Sequence, residues 1–142
     1  MNEQSPSLTP QQVVDTMLST DAFSRLLGLV VDETGVGYCR LHFMVREDMV
    51  NGFGIVHGGV VFSASDSAFA FACNSHGRLT VALDVSISFM KAGKVGETLT
   101  VEARELHLGH KIGVYDIRTT NEAGELLAVF KGTAYRTSKA VA

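Results

Sequence analysis

Residues 51–75 of this chain read NGFGIVHGGVVFSASDSAFAFACNS and carry the strongest structural pattern in the sequence. Its first part, residues 51–59, contains four glycines and is typical of a loop. From Gly58 to Ser75 the side chains are apolar or small on nearly every side, which predicts one long helix that ends at Gly77. Because a helix without a polar face is not stable in water, other elements have to cover it.

Two short helices and a hairpin are predicted before this loop. Thr9 is a candidate N-cap with Pro10 in the first helical position, which indicates a helix over residues 11–18. Thr20 or Asp21 can cap a second, shorter helix. Two strand-like segments follow at Leu29–Asp32 and Tyr38–Val45, joined by a turn at residues 34–37.

Strand patterns also dominate the chain after the long helix. Residues 81–90 alternate with a period of two, which predicts a strand whose apolar face carries Val81, Leu83, Val85, Ile87 and Phe89. Three further strands are predicted at Thr98–Leu108, Gly113–Thr119 and Leu126–Arg136. The sum is an α+β domain in which an antiparallel sheet of five to six strands wraps around one long central helix. We expect a single domain over residues 1–142, with an N-terminal helical segment at residues 1–28.

The charge and cysteine content narrow the class of protein. With 12 basic and 15 acidic residues the formal net charge is −3, which argues against nucleic acid or an anionic membrane as the main partner. Cys39 and Cys73 form no C-x-x-C pair, so buried free thiols in a reducing cytoplasm are expected. The polar start is unlike a secretory leader, and Val60–Cys73 is too short to span a bilayer. We expect a soluble cytoplasmic protein.

Asp66 is a carboxylate in the middle of a helix that otherwise looks buried. A buried carboxylate without a partner is costly, so the residue either pairs with a basic or backbone group or serves chemistry. The four histidines outside residues 51–75 lie on different predicted elements without ligand-like spacing, so we expect no metal site: His42, His76, His107 and His110.

The sequence His57-Gly58-Gly59 leads directly into the same helix. Backbone N–H groups in the first turn of a helix have no partner within the helix and carry partial positive charge. Glycines leave these groups open to a ligand, which is the geometry of an anion or oxyanion site. The alternative is that the glycines only form a tight turn.

Distance limits how Gly58 and Asp66 can cooperate. They are separated by roughly 12 Å along a helix that rises about 1.5 Å per residue. An aspartate side chain cannot bridge that gap to reach a carbonyl held at the Gly58 N–H. If both groups act on one carbonyl, they come from different chains, which predicts a dimer with two shared sites.

The run from Asn51 to Ala70 closely resembles the hot-dog-fold acyl-CoA thioesterases of the PaaI type, which take part in phenylacetate degradation. The likeness continues through residues 71–75, through 89–93 with 96–99, and through 113–117. The HGG-x6-D spacing inside an apolar helix is the discriminating feature. The resemblance implies the hot-dog fold and hydrolysis of acyl-CoA without a cofactor.

The resemblance also implies roles for individual residues. Asp66 would be the catalytic carboxylate, as nucleophile or as general base toward water, and the Gly58 N–H would polarise the thioester carbonyl. Asn51 and His57 would shape the site, with His57 in an orienting role. Gly59 and Ser67 are assigned to substrate binding. Some relatives carry an assisting serine on the strand after the helix, and the matching position here is Ala82.

Phenylacetyl-CoA or a ring-hydroxylated relative is the expected substrate, because aromatic residues on and beside the helix could line an acyl pocket: Phe53, Phe62, Phe69 and Phe71. The expected assembly is a homodimer or a homotetramer built as a dimer of dimers.

Two alternative functions remain, a non-catalytic acyl-CoA-binding or regulatory domain and a hydroxyacyl-thioester hydratase or dehydratase. The Asp-x4-His signature of the second is absent, since Phe71 stands where its histidine would be. Basic residues that could bind the CoA phosphates are Lys91, Lys94, Lys111, Lys131 and Arg136.

Overall fold

The computed structural model describes residues 8–142, so the first seven residues of the predicted N-terminal segment lie outside it. In chain order the elements are α1 Pro10–Leu18, α2 Ala22–Leu26, β1 Val30–Gly35, β2 Tyr38–Met44, a short 3-10 turn Glu47–Met49, α3 Gly58–Asn74, β3 Arg78–Phe89, β4 Thr98–Leu108, β5 Ile112–Thr120 and β6 Leu126–Ala140. The predicted α+β class, with one long helix and six strands, is confirmed. Strand β6 extends beyond its predicted end at Arg136.

The six strands form one sheet in the order β1-β2-β4-β5-β6-β3. All neighbouring strands are antiparallel. Helix α3 packs on one face of the sheet, and β3 lies at an edge although it directly follows α3 in the chain.

The short helices begin where local hydrogen bonds satisfy their first N–H groups. Thr9 and Gln12 form a capping box at the start of α1. Of the two candidate caps for α2, Asp21 is the one used, since its Oδ1 accepts from the Ser24 N–H at 3.0 Å. Gly28 ends this segment with a φ of +71°, a conformation that favours glycine.

The contact between α3 and the sheet centres on the ring of Phe69. This ring meets Tyr115 edge-on at a centroid distance of 5.5 Å and lies 5.9 Å from the ring of Phe130. A Cβ at Gly132 would come within 2.8 Å of the same ring, so the missing side chain is what lets the helix approach β6. This close packing holds α3 on the sheet.

The sheet covers only one side of α3, contrary to the expectation of a helix enclosed all round. Ala64, Ala68 and Phe71 are fully buried against it. The residues on the opposite side are only partly buried, and they include Ser63, Asp66, Ser67 and Ala70. Among the described elements outside the sheet, the short helices α1 and α2 contact α3, and they leave this second side partly exposed.

The predicted single apolar face of β3 is wrong, because the pairing with β6 shifts register between Ala82 and Asp84. Beyond this bulge, Phe89 lies opposite the buried Ala128 and therefore faces α3. Before it, Val81 lies opposite Tyr135, which is exposed on the other face of the sheet. The alternation in the sequence could not show the extra residue.

Both cysteines, Cys39 and Cys73, are buried free thiols, as expected. Within residues 8–142 no helix is both long enough and apolar enough to cross a membrane.

Candidate active site

Two cavities lie along α3 and β3, and three of the six predicted site residues line them: Asn51, Gly58 and Asp66. The first, of about 300 Å³, is at the start of α3 and is lined by Asn51, Gly58 and Phe89 among others. The second, of about 250 Å³, lies beside Asp66 and is bordered by the beginning of β3. The two cavities share no lining residue. Within one chain, therefore, Gly58 and Asp66 belong to separate spaces.

His57 caps the start of α3 rather than facing a cavity as a free acid or base. Its Nδ1 accepts a hydrogen bond from the Gly59 N–H at 2.8 Å. A Cβ at Gly59 would lie 3.0 Å from that nitrogen, so the glycine is what allows the imidazole to approach. This arrangement agrees with the orienting role expected for His57. It leaves Gly59 without a free N–H to offer a substrate.

Gly58 holds the one N–H group in the first turn of α3 that has no partner among the described residues. The Val60 and Val61 N–H groups both donate to the His57 carbonyl, at 2.9 Å and 3.4 Å. The Gly59 N–H is taken by the His57 side chain. Gly58 lines the first cavity, so its N–H is positioned to donate to an oxygen bound there.

Asn51 organises the loop beside this N–H group. Its Oδ1 accepts from the Phe53 N–H at 2.9 Å and from the Ile55 N–H at 3.4 Å, which closes a tight turn. The side-chain Nδ2 has no acceptor among residues 8–142 and belongs to a residue that lines the first cavity. Asn51 can therefore donate to a ligand while its oxygen maintains the loop.

Asp66 has no hydrogen-bond or ion-pair partner among the described residues, although it is half-buried. The pKa of its carboxyl is raised, mainly by burial and further by the negative charge of Asp21. The paired role that the sequence left open for Asp66 is therefore not observed. A carboxylate that is desolvated and unpaired is a strong acceptor for a water proton and a candidate nucleophile.

Ser67 contacts α2 instead of the cavity beside Asp66, contrary to its assignment to substrate binding. Its Oγ lies 2.7 Å from Ser24 Oγ, which in turn donates to Asp21 Oδ2 at 2.6 Å. The Ser67 hydroxyl therefore donates to Ser24 and ties α2 to α3 one residue after Asp66. Nothing in the sequence signalled this chain of hydrogen bonds, because it depends on how two helices pack.

Neither Cys73 nor Ala82 supplies a second reactive group at the Asp66 cavity, although both line it. Burial raises the pKa of the Cys73 thiol to about 12, so it stays protonated at neutral pH. Ala82 offers only a methyl group, and the neighbouring Thr80 hydroxyl donates to the Arg78 carbonyl at 2.9 Å. No group of side chains in residues 8–142 is arranged to hold a metal ion.

Of the four phenylalanines expected to line an acyl pocket, only Phe69 borders the Asp66 cavity. Phe71 is buried in the core, and Phe62 packs on Phe130 at a centroid distance of 5.3 Å. Phe53 is 90% exposed and touches neither cavity. Met17 of α1, which the sequence did not single out, lines the Asp66 cavity instead.

The basic residues considered for phosphate binding have different surroundings. Lys91 lines the first cavity and forms an ion pair with Glu125. Arg136 donates to the Gly109 carbonyl at 2.7 Å and supports a loop. Lys94, Lys111 and Lys131 form no ion pair within the part of the chain that the structure describes.

Comparison with known proteins shows that the sequence is similar to thioesterases. The profile of the family described as the thioesterase superfamily matches residues 53–128. The acyl-coenzyme A thioesterase PaaI of Escherichia coli is 38% identical over 88% of this chain and 89% of the relative.

The fold is also found in solved structures. The E. coli PaaI protein from the phenylacetic acid degradation operon aligns with a TM-score of 0.91 and 36% identity, covering 92% of this chain and 95% of that one. A Streptococcus mutans protein bound to acetyl-CoA aligns with a TM-score of 0.77 and 28% identity, covering 79% and 90%. These matches confirm the hot-dog fold.

The raised pKa of Asp66 predicts that Asp66→Asn stabilises the fold at pH 7. A carboxyl whose pKa is higher in the folded than in the unfolded protein favours folding when protonated, and costs stability once pH rises through the folded pKa. We expect the melting temperature of the variant to exceed that of the wild type by a margin that grows from about pH 4 and then levels off. Asp15→Asn, which removes an exposed carboxylate on α1, is the control. An unchanged or lower melting temperature at pH 7 would mean that Asp66 is paired in the folded protein.

Proposed function

This chain belongs to the thioesterase superfamily, and we propose that it hydrolyses acyl-CoA thioesters at a site built from Asp66 and Gly58. The observation that carries the assignment of residues is a half-buried carboxylate without a partner on the helix whose first N–H is also free. Charged groups without partners are costly in a folded protein, so their retention indicates a chemical task. The E. coli relative is named as an acyl-CoA thioesterase.

The proposed reaction uses the two groups on opposite sides of one carbonyl. The Gly58 N–H donates to the thioester oxygen and stabilises the negative charge that develops on it. As general base, Asp66 takes a proton from water while the hydroxide adds to the carbonyl carbon. Collapse of the tetrahedral intermediate breaks the C–S bond, and the thiolate of CoA takes up the proton. As nucleophile, Asp66 would instead attack the carbonyl carbon and form an acyl anhydride as the C–S bond breaks and CoA leaves as its thiolate. Water then hydrolyses the anhydride, which restores the Asp66 carboxylate and releases the acid, and the proton is taken up by the thiolate.

A homodimer is the smallest unit in which these groups can meet. Strand β3 lies at the edge of the sheet, and an edge offers unpaired backbone groups to another chain. Large apolar side chains along it are exposed, with Val81 at 47%, Leu83 at 60% and Phe89 at 55%. An exposed apolar edge of this length is typical of a surface that a second copy covers.

Antiparallel pairing of two β3 strands about a two-fold axis near Val85 would also solve the distance problem. In that arrangement the beginning of β3 in one copy lies beside the end of β3 in the other. Val81 lines the Asp66 cavity and Phe89 lines the Gly58 cavity. Each Asp66 would thus face Gly58 of the partner subunit, and the partly exposed side of α3 would be covered by the partner. The homotetramer stays a prediction, since the site requires only the dimer.

The size of the Asp66 cavity favours an acyl group with one ring. A cavity of about 150 Å³ is enough to hold benzene, and the cavity here is about 250 Å³. The lining of this cavity is mainly apolar and includes Ala70 and Leu79. We therefore propose phenylacetyl-CoA or a ring-hydroxylated relative as the substrate, in agreement with the E. coli relative from a phenylacetic acid degradation operon. A cytoplasmic location stays a prediction.

The central test is the loss of turnover in Asp66→Asn. The amide can neither take a proton from water nor attack a carbonyl, so hydrolysis should fall by on the order of 10² or more. Oligomeric state, from size-exclusion chromatography with light scattering, should not change. Near-normal kcat in a correctly folded variant would refute the role of Asp66.

Mixed dimers test whether each site is shared between subunits. One chain carries Gly58→Leu, whose side chain would crowd Phe89 and block the N–H, and the other carries Asp66→Asn. Heterodimers purified with two different tags should regain about half of wild-type activity, because one of two symmetric sites is intact. The control is a mixture of the two variants without subunit exchange. Inactive heterodimers would mean that each site lies within one chain.

A series of CoA thioesters tests the substrate class. We expect a higher kcat/KM for phenylacetyl-CoA than for acetyl-CoA, which leaves the cavity partly empty, and than for palmitoyl-CoA, which exceeds it. A kcat/KM that rises steadily with the length of a straight chain would refute the aryl assignment and leave the thioesterase assignment intact.

A further inference from the structure

One wall of the cavity beside Asp66 comes from neither α3 nor β3. The lining residues of this cavity come from α3 and from the beginning of β3, with a single exception. The exception is Met17, which lies on α1. The N-terminal segment therefore bounds the space in front of Asp66, although its sequence carries no catalytic motif.

Local structure directs Met17 toward this cavity. Val13 and Val14, one turn earlier on α1, are fully buried and place that side of the helix against the protein. Met17 follows them by four and three residues, so it lies on the same side of the helix. Its side chain packs against the core as well as lining the cavity.

The segment is held in this position by polar contacts next to Asp66. Asp21 caps α2, and the Ser67–Ser24–Asp21 chain of hydrogen bonds ties α2 to α3. Since Asp21 follows Met17 by only four residues, this attachment limits how far the end of α1 can move from α3. The backbone at Met17 therefore has a defined position beside the cavity.

The chemistry of the two cavities decides which end of a thioester would reach Met17. No basic residue among those described lines the Asp66 cavity, and the Cys73 thiol there is neutral. The cavity at Gly58 includes Lys91, whose side chain pairs with the exposed carboxylate of Glu125. Because the pantetheine arm of CoA leads to phosphates, it fits the cavity with the lysine. The apolar acyl group then enters the space between Asp66 and Met17.

We propose that Met17 closes the far end of the acyl pocket and sets the size of the acyl group that the enzyme accepts. The inference rests on the proposed thioesterase site and adds a specificity-determining residue from α1. Methionine is long, unbranched and adaptable, so it can fill the end of the pocket behind a single ring. Shortening this side chain lengthens the pocket, and a bulkier one shortens it.

The test is an acyl-size series measured on Met17→Ala and Met17→Trp. For Met17→Ala we expect kcat/KM for 4-phenylbutyryl-CoA relative to acetyl-CoA to rise on the order of 10-fold, the range for filling a hydrophobic pocket by one or two methylenes. For Met17→Trp, kcat/KM for phenylacetyl-CoA relative to acetyl-CoA should fall by a similar factor. Leu18→Ala is the matched control, since Leu18 is also partly buried on α1 but does not line the cavity.

The dissociation constants of non-hydrolysable acyl-CoA thioether analogues are measured in parallel, so the inference can be tested without turnover. Size profiles of both Met17 variants that match the wild type would overturn it. A change of equal size for every acyl group would do the same, as would a similar shift in Leu18→Ala. If the wild type hydrolyses no thioester, the proposed function fails, and the binding series still decides whether Met17 limits the acyl group.

Discussion

Helix α3 is rigid, and its rigidity limits where the two candidate reactive groups can lie. Helix α3 carries both the free Gly58 N–H and the unpartnered Asp66 carboxylate, and its rise keeps them roughly 12 Å apart. Neither side chain nor backbone can shorten that distance without breaking the helix. The separate cavities, the partly exposed side of α3 and the apolar edge of β3 all become intelligible if a second chain brings the missing half of each site.

The unpaired Asp66 carboxylate destabilises the folded protein, and the packing around α3 offsets this loss of stability. Burial and the charge of Asp21 both disfavour the ionised carboxyl. The tight contact of Phe69 with Gly132 and the capping of α3 by His57 hold the helix in place regardless. Gly58 and Gly59 have different roles. The Gly58 N–H stays free, whereas the missing side chain of Gly59 makes room for the imidazole of His57, which accepts a hydrogen bond from the Gly59 N–H. A destabilised reactive group in a well-packed frame is a common compromise between stability and activity.

The sequence of the N-terminal helices α1 and α2 predicts their ends but not their contacts with α3. Their capping residues could be predicted, because Thr9, Gln12 and Asp21 act on neighbours three residues away. Their contribution to the site could not be predicted, because it depends on contacts between distant parts of the chain. Met17 lines the cavity beside Asp66, and Ser24 contacts Ser67, which lies more than 40 residues further along the chain. The same limit applies to Ser67, which contacts Ser24 and not the cavity, and to Phe53 and Phe62, which lie outside it.

Helix and strand periods, caps and the HGG-x6-D motif are local patterns of residue type, so the elements, the fold class and the family can be predicted from the sequence. The distance between Gly58 and Asp66 can be predicted as well, since helical rise is independent of context. Three features follow from the folded structure alone: which N–H groups stay free, which side of α3 the sheet covers, and where the bulge in β3 turns Val81 away from Phe89. These features depend on contacts between residues distant in the chain, and a pattern of neighbouring residues carries no record of them.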